Sequence, residues 1–457
     1  MKIFETDWIN SNPVFYNEKT GKASHKVNDV IDWDNIEFHP EGFNNYLDFG
    51  YSVFEQTPIK NVKFLPPNAR LIKNENGNLY IKRLKDPVED WIGIKTSEEE
   101  IWDAIETSIQ AWEKSVEGYI IIPTSGGYDS RILNYFIENK NRIRSFTYGV
   151  SNPQYESYEV INAKILAEKL NTWWKQIELG NFHNYFDEWN SLMGPSVHSH
   201  GMYQLEFFKG IKKYVPNEAY LLSGILGDVW AGGKAIPPIN SNKEVVKLSL
   251  SHGMHADSRQ SLLNSLYELR DSYFAENQKK VSDPFWAVVE SMRFKMILLS
   301  YLFTVPQRFN YTPWSPFLNF EIAIKMLSLP ETRRKNRNWQ VDFFKKTDIC
   351  LEDIKIKRNY NNTLNYDATL KSELYPLETK LFKNIIRESY IEWINDRVLK
   401  RPLPNKLSRK ILGIPKLGGG LKRLGFKSKD EFLEAYCAYL TLKPIEYLLK
   451  RMRGKYL

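Results

Sequence analysis

The sequence predicts an α/β protein: a doubly wound, mostly parallel sheet, preceded by a small β-rich domain and followed by a helical C-terminal region. Three observations carry that expectation. Between residues 119 and 222, apolar runs of strand length alternate with amphipathic helical segments, the pattern of a parallel sheet with crossover helices. Residues 1–92 instead hold short apolar segments punctuated by Asn, Gly and Pro. After Gly233 the alternation stops and the periodicity becomes helical. The expected organisation is therefore 1–92, 93–350 and 351–457, the last part basic and mainly helical.

In the first part, Val14 to Tyr16 and the turn Asn17 to Gly21 read as a hairpin, and Asn44 to Phe49 as a helical turn. A strand is expected over Leu79 to Leu84. Ser97 and Glu100 form a capping box, and Ile101, Ile105, Ile109, Trp112 and Val116 share one face, so a helix runs from Ser97 to Val116. The alternation then gives strand 119–124, helix 130–139, strand Ile143 to Tyr148, helix Glu156 to Leu170 and strand Trp173 to Leu179. Helices Phe182 to Leu192 and Met202 to Tyr214 and strand Ala219 to Leu222 follow. Phe285 to Leu302 is a further helix, and two more are expected near Asp430 to Leu440 and Pro444 to Arg451.

Hydrophobic residues make up 42% of the chain and charged residues 26%, values of a soluble globular protein. The longest apolar candidate, Met296 to Val305, is too short to cross a membrane, and residues 1–12 lack a signal-peptide core, so membrane insertion is not expected and a cytoplasmic location is. Two cysteines, Cys350 and Cys437, exclude a disulfide framework and a thiolate zinc site. Of the net charge of +8, the stretch from Arg401 to Leu457 carries 14 Lys and Arg against 4 Asp and Glu. That excess fits either a polyanion-binding surface or a solvated basic face. His198 and His200, and His252 and His255 with Asp257, lack metalloprotease spacing and read as capping or surface histidines.

The chemistry concentrates in two loops. Tyr119 to Arg131, YIIIPTSGGYDSR, is a strand that ends in a Gly-Gly turn and enters a helix. Gly126 and Gly127 permit close backbone approach, and the helix N-terminus favours anions. Asp129 would repel phosphate unless a cation intervenes, which points to a Mg-nucleotide site with Ser125 and Ser130 as donors to phosphate oxygens. An ordinary strand-to-helix turn capped by Asp129 or Ser130 uses the same residue types. The second loop, Ser223 to Gly233, again follows an apolar strand and presents Asp228. If its strand neighbours the first, Asp129 and Asp228 converge on one metal; alone, Asp228 could simply cap a helix.

The hexapeptide Ser125 to Ser130, Ser-Gly-Gly-x-Asp-Ser, resembles the pyrophosphate loop of ATP pyrophosphatases with an adenine nucleotide alpha hydrolase-like fold. Ser223, Gly224, Asp228, Gly232 and Gly233 resemble the second loop of the asparagine synthase family, and Leu47 to Leu71 is similar to the end of the class II glutamine amidotransferase domain that precedes it. Departures are Ile225 for a glutamate, Leu226 for a glycine, Val229 for an acid and Asn319 for an aspartate. Position 2 is Lys2 where an active amidotransferase carries its cysteine, so the resemblance implies a truncated region without glutaminase activity. It further implies ATP and Mg²⁺ as cofactors, with Asp129 and Asp228 on the metal. The nucleotide would be held by Thr124, Ser125, Gly126, Gly127, Asp129, Ser130, Tyr148, Ser223 and Gly224. A lysine downstream of the Trp314 to Asn319 segment would stabilise charge during amine attack: Lys335, with Arg337 as its substitute.

The activity so implied is an AMP- and pyrophosphate-forming amide ligase. It would adenylate a small-molecule, peptide or glycan carboxylate and pass it to ammonia or an amine, from the substrate or from a separate amidotransferase. Two alternatives use the same residues: a tRNA-modifying ATP pyrophosphatase, motivated by the basic tail, although nucleic acid is not the expected partner, and a catalytically inactive binding protein, motivated by Ile225, Val229 and Asn319.

Overall fold

The computed structural model describes residues 3–74, 79–249, 253–400 and 431–454. The N-terminal region forms two three-stranded antiparallel sheets. One joins β1 (Ile3–Glu5), β5 (Ala69–Lys73) and β6 (Leu79–Arg83), with β5 in the middle; the other joins β2 (Phe15–Asn17), β3 (Ala23–Ser24) and β4 (Val62–Phe64), with β2 in the middle. The expected hairpin is present because Asn17 folds the turn onto itself. Its Oδ1 accepts from the N–H groups of Lys19 and Thr20 at 2.9 and 3.0 Å, and Gly21 takes φ 65°. The helical turn is longer than expected, Pro40–Phe49, because Pro40 is preset for the first helical position and His39 caps the Gly42 N–H at 3.0 Å.

The Glu98–Ser115 helix carries the capping box as read, with Ser97 and Glu100 bonding reciprocally, and buries Ile101, Ile105 and Ile109. It leads into a five-stranded, all-parallel sheet of β7 (Ile120–Pro123), β8 (Ile143–Thr147), β9 (Trp173–Gln176), β10 (Ala219–Leu222) and β11 (Tyr311–Trp314). The order is β11-β10-β7-β8-β9, so the chain winds outward from β7 to β9, then returns to the other side of β7. Winding therefore reverses between β7 and β10, where the loops beyond the strand ends leave a crevice.

β11 is the strand of the parallel sheet that the periodicity did not reveal. It is four residues long, contains Pro313 and lies in a stretch that reads as helical. A proline is tolerated there because β11 is an edge strand, bonded only to β10. The two helices expected at the C-terminal end form one, Glu431–Met452, with Pro444 inside it. The glycine-rich stretch 413–420 lies outside the described residues, as does His252. One continuous buried core runs from Trp8 to Leu449 and includes side chains from all three regions of the chain. Among the described residues, no helix is long and apolar enough to cross a membrane.

Candidate active site

The two loops leave adjacent parallel strands. β7 pairs with β10 through Ile120 opposite Tyr220 and Ile121 opposite Leu221, so the segments after Pro123 and Leu222 emerge side by side. The backbone N–H of Asp228 donates to Asp129 Oδ2 at 2.8 Å, which brings the two expected metal ligands together. Asp129 Oδ1 is sealed from solvent and has no hydrogen-bond partner, although the residue as a whole keeps some exposure. Burial, then the charge of Asp228, pushes the Asp129 carboxyl up to about 8; Arg337 and the Asp228 N–H only partly oppose this. A buried, unpaired carboxylate oxygen beside a second acid forms a site that gains from a cation. No group of three or more His, Cys, Asp or Glu able to hold a metal occurs among the described residues; two carboxylates suit an ion that takes its remaining ligands from phosphate and water, as Mg²⁺ does.

The first loop is shaped for close approach. Gly126 has φ 67°, and a Cβ there would sit 2.4 Å from the Cβ of Asn162. Gly127 caps the Tyr128–Phe136 helix without any side-chain bond, which leaves the helix N-terminus available to an anion. The Ser125 hydroxyl, exposed, accepts from the Gly127 N–H at 3.2 Å, and the Ser130 hydroxyl donates to the Gly127 carbonyl at 3.0 Å. Thr124 behaves differently from its neighbours. Its hydroxyl is bonded to the Ile122 carbonyl and to the Asn134 amide, each at 3.0 Å, so that it fixes the strand end from inside.

In the second loop, Gly227 lies against the Asp129 carboxyl, where a Cβ would meet Cγ at 2.6 Å. Leu226 has φ 68°. The left-handed backbone expected of a glycine at this position is thus kept by a leucine, at a cost of about 1–2 kcal/mol. The Ser223 hydroxyl accepts from the Ile225 N–H at 3.3 Å. Ile225 and Val229 are buried, so the acid functions that the resemblance assigns there are replaced by packing. Asn319 caps the Phe320–Leu327 helix, accepting from the Glu321 N–H at 2.9 Å, a task that an aspartate would perform equally well.

Beyond the loops, a cavity of about 260 Å³ opens at the ends of β7, β8 and β10. Ser125, Ser223, Tyr148, Phe207, Glu159 and Gln204 are among its walls. Apolar walls with a few polar groups are what a heterocyclic base requires. Glu159 Oε2 is buried there without a partner, and burial pushes that carboxyl up.

The basic run 333–337 divides its roles. Arg333 pairs with Glu98 and Asp342, Arg334 packs under Gly232, and Lys335 is exposed on the outer turn. Arg337 turns inward. Asn336 and Arg337 both adopt left-handed backbone, at φ 53° and 57°, and the Arg337 guanidinium lies 4.2 Å from the Tyr128 ring centroid, one residue from Asp129. The Arg337 charge bears on Asp129, whereas Lys335 is exposed.

Three further residues belong to the site. Arg131, the last residue of the opening motif, has a fully buried side chain whose Nε donates to the Gly126 carbonyl at 2.8 Å. Its two terminal nitrogens grip Glu352 at 2.9 and 2.7 Å. Partial burial disfavours the Glu352 carboxylate, but the Arg131 bonds and charge outweigh it and hold the group down to about 2. Lys295 is buried on the Pro284–Leu299 helix; burial and Lys234 bring its ammonium down to about 8, against the opposing pull of Asp228. A single lysine within Phe294-Lys-Met-Ile-Leu-Leu299 was the sequence signal for it. The histidines form no metal centre among the described residues; His198 caps the His200 N–H at 3.2 Å and Asp257 pairs with Arg259.

The arrangement can therefore hold a polyanion on the first loop, a divalent ion between Asp129 and Asp228, a flat ring in the adjoining cavity, and cations of its own at Arg337 and Lys295. No family model matches the chain, and no curated protein matches it.

Proposed function

We propose that the chain is an asparagine synthase-related amide ligase of the AMP- and pyrophosphate-forming kind, with an adenine nucleotide alpha hydrolase-like catalytic fold and a cytoplasmic location. The observation that carries this reading is the meeting of Asp129 and Asp228 at the strand-order reversal, one oxygen of Asp129 being buried and unpaired. ATP would lay its phosphates along Ser125 to Ser130, where the bare helix N-terminus and the loop N–H groups face them, and its base among Tyr148, Phe207 and Gln204. Mg²⁺ bound between the acids would neutralise charge on the pyrophosphate leaving group. A substrate carboxylate oxygen forms a bond to the α-phosphorus as the α–β phosphoanhydride bond breaks and pyrophosphate leaves. An amine then attacks the acyl carbon, AMP departs, and the amine loses a proton to give the amide. Arg337 and Lys295 are the residues best placed to offset developing negative charge, with Lys335 the more distant candidate. Most of the acceleration would come from positioning and electrostatic stabilisation.

Nitrogen would come from free ammonia, a separate amidotransferase or an amine of the substrate. The test is pyrophosphate release from ATP and Mg²⁺ across a panel of amino acids, uronic acids and peptides. Asp129→Ala should abolish the release, and release that survives the substitution would overturn the assignment.

A further inference from the structure

A second cavity, of about 400 Å³, lies one strand beyond the phosphate loops. Its floor is the end of β11, which is tied to the second loop: the Ser223 N–H donates to the Trp314 carbonyl at 2.8 Å, and the Ser315 hydroxyl reaches the Ile225 carbonyl at 3.4 Å. One wall is the Tyr301–Arg308 helix, which contributes Thr304 and Gln307, and the opposite wall is the N-terminal region, through Ser11 and Asn12. The same helix lines the base cavity through Leu302, so the two cavities flank one element.

Among the described residues, the lining of this second cavity holds hydroxyls, amides and the aromatic rings of Phe303 and Trp314, and no Asp, Glu, Lys, Arg or His. A free amino acid brings an ammonium and a second carboxylate, for which these residues offer no counter-charge. Hydroxyl and amide groups beside aromatic faces instead match a neutral, polyhydroxylated body. None of the hydrogen bonds among the described residues uses the side chains of Gln307 or Asn12, which leaves both free to meet ligand hydroxyls.

We propose that this cavity is the acceptor site and that the acceptor is a sugar acid: a single carboxylate on an uncharged hydroxylated ring, without an α-ammonium. This inference rests on the adenylating function proposed above. The carboxylate would point past Ser315 toward the second loop, and the ring would lie between Trp314, Thr304 and Gln307.

The experiment uses the full-length chain with Mg²⁺ and ATP, and glucuronic and galacturonic acids as probes, with aspartate as the zwitterionic control. ATP–pyrophosphate exchange should depend on a uronic acid and be at least tenfold slower with aspartate. Thr304→Trp, which fills the cavity, and Gln307→Leu should each raise the KM for the uronic acid at least tenfold while the KM for ATP stays within about twofold. Exchange that prefers aspartate, or a uronic acid KM unmoved by both substitutions, overturns the proposal. Mg-ATP binding measured by calorimetry without acceptor separates the two readings. Absence of binding overturns the ligase function itself, whereas binding without uronate-dependent exchange overturns the acceptor class alone.

Discussion

Replacing Glu352 by Gln tests whether the phosphate loop is held from behind by a buried cation. Arg131 has no exposed side-chain surface; it grips the Gly126 carbonyl with Nε and Glu352 with both terminal nitrogens. The fall of the Glu352 carboxyl from 4.5 to about 2 corresponds to about 3 kcal/mol of preferential stabilisation of the folded state. The carboxylate side chain is 41% exposed, so screening reduces this to about 1–2 kcal/mol. Because the folded value is depressed, the contribution is complete above about pH 5 and is lost as the pH falls toward 2; roughly three-quarters remains at pH 4 and two-fifths at pH 3. Urea denaturation of wild type and Glu352→Gln should therefore differ by about 1–2 kcal/mol at pH 7, and the difference should shrink steadily below pH 4.5. With its partner neutral, Arg131 holds Gly126 less firmly, and Mg-ATP binding should weaken about three- to tenfold at pH 7. A stability difference that is absent at pH 7, or that stays constant down to pH 3, would refute the argument that this pair anchors the loop.

Two other outcomes follow from the site. Arg337→Met should lower amide-forming turnover at least a hundredfold and Lys335→Met less than threefold, since Arg337 lies against Tyr128, next to Asp129, whereas Lys335 is exposed; steady-state kinetics of the two variants decides between them. Asp129→Asn removes a carboxylate buried beside Asp228, so thermal unfolding of the ligand-free protein at pH 9, where Asp129 is ionised, should shift upward by about 1–2 kcal/mol, while Mg-ATP binding by calorimetry is lost.

The strand–Gly-Gly–helix loop was readable because its signals are local: a strand, two glycines and a helix start lie within 13 consecutive residues, and Ser97 with Glu100 announced the preceding helix in the same way. The pairing of Asp129 with Asp228 was readable only as a condition, since it depends on β7 and β10 being neighbours across about a hundred residues. β11 escaped because four residues with a proline carry no period. Lys335 was singled out by its place in a basic run, but which of those side chains turns inward is decided by two consecutive left-handed residues, Asn336 and Arg337, that no propensity announces. Arg131 and Lys295 are visible as charges in apolar surroundings, yet the Glu352 partner of Arg131 and the burial of Lys295 are supplied by the tertiary fold.

The continuous core has a consequence for motion. Trp8 donates its indole N–H to the Leu318 carbonyl at 3.0 Å, its own carbonyl accepts from Arg293 Nε at 2.9 Å, and Arg293 in turn grips Asp86. The N-terminal region is thereby fastened to the helix that carries Lys295 and to the segment that follows β11. Two bodies joined in this way do not swing about a hinge, because opening would break the buried Arg293 cluster and expose Trp8 together. In the proposed ligase, substrate entry and water exclusion would then fall to short segments at the mouth of the crevice, and turnover would be paced by loop rearrangement, with the cavity walls already in place.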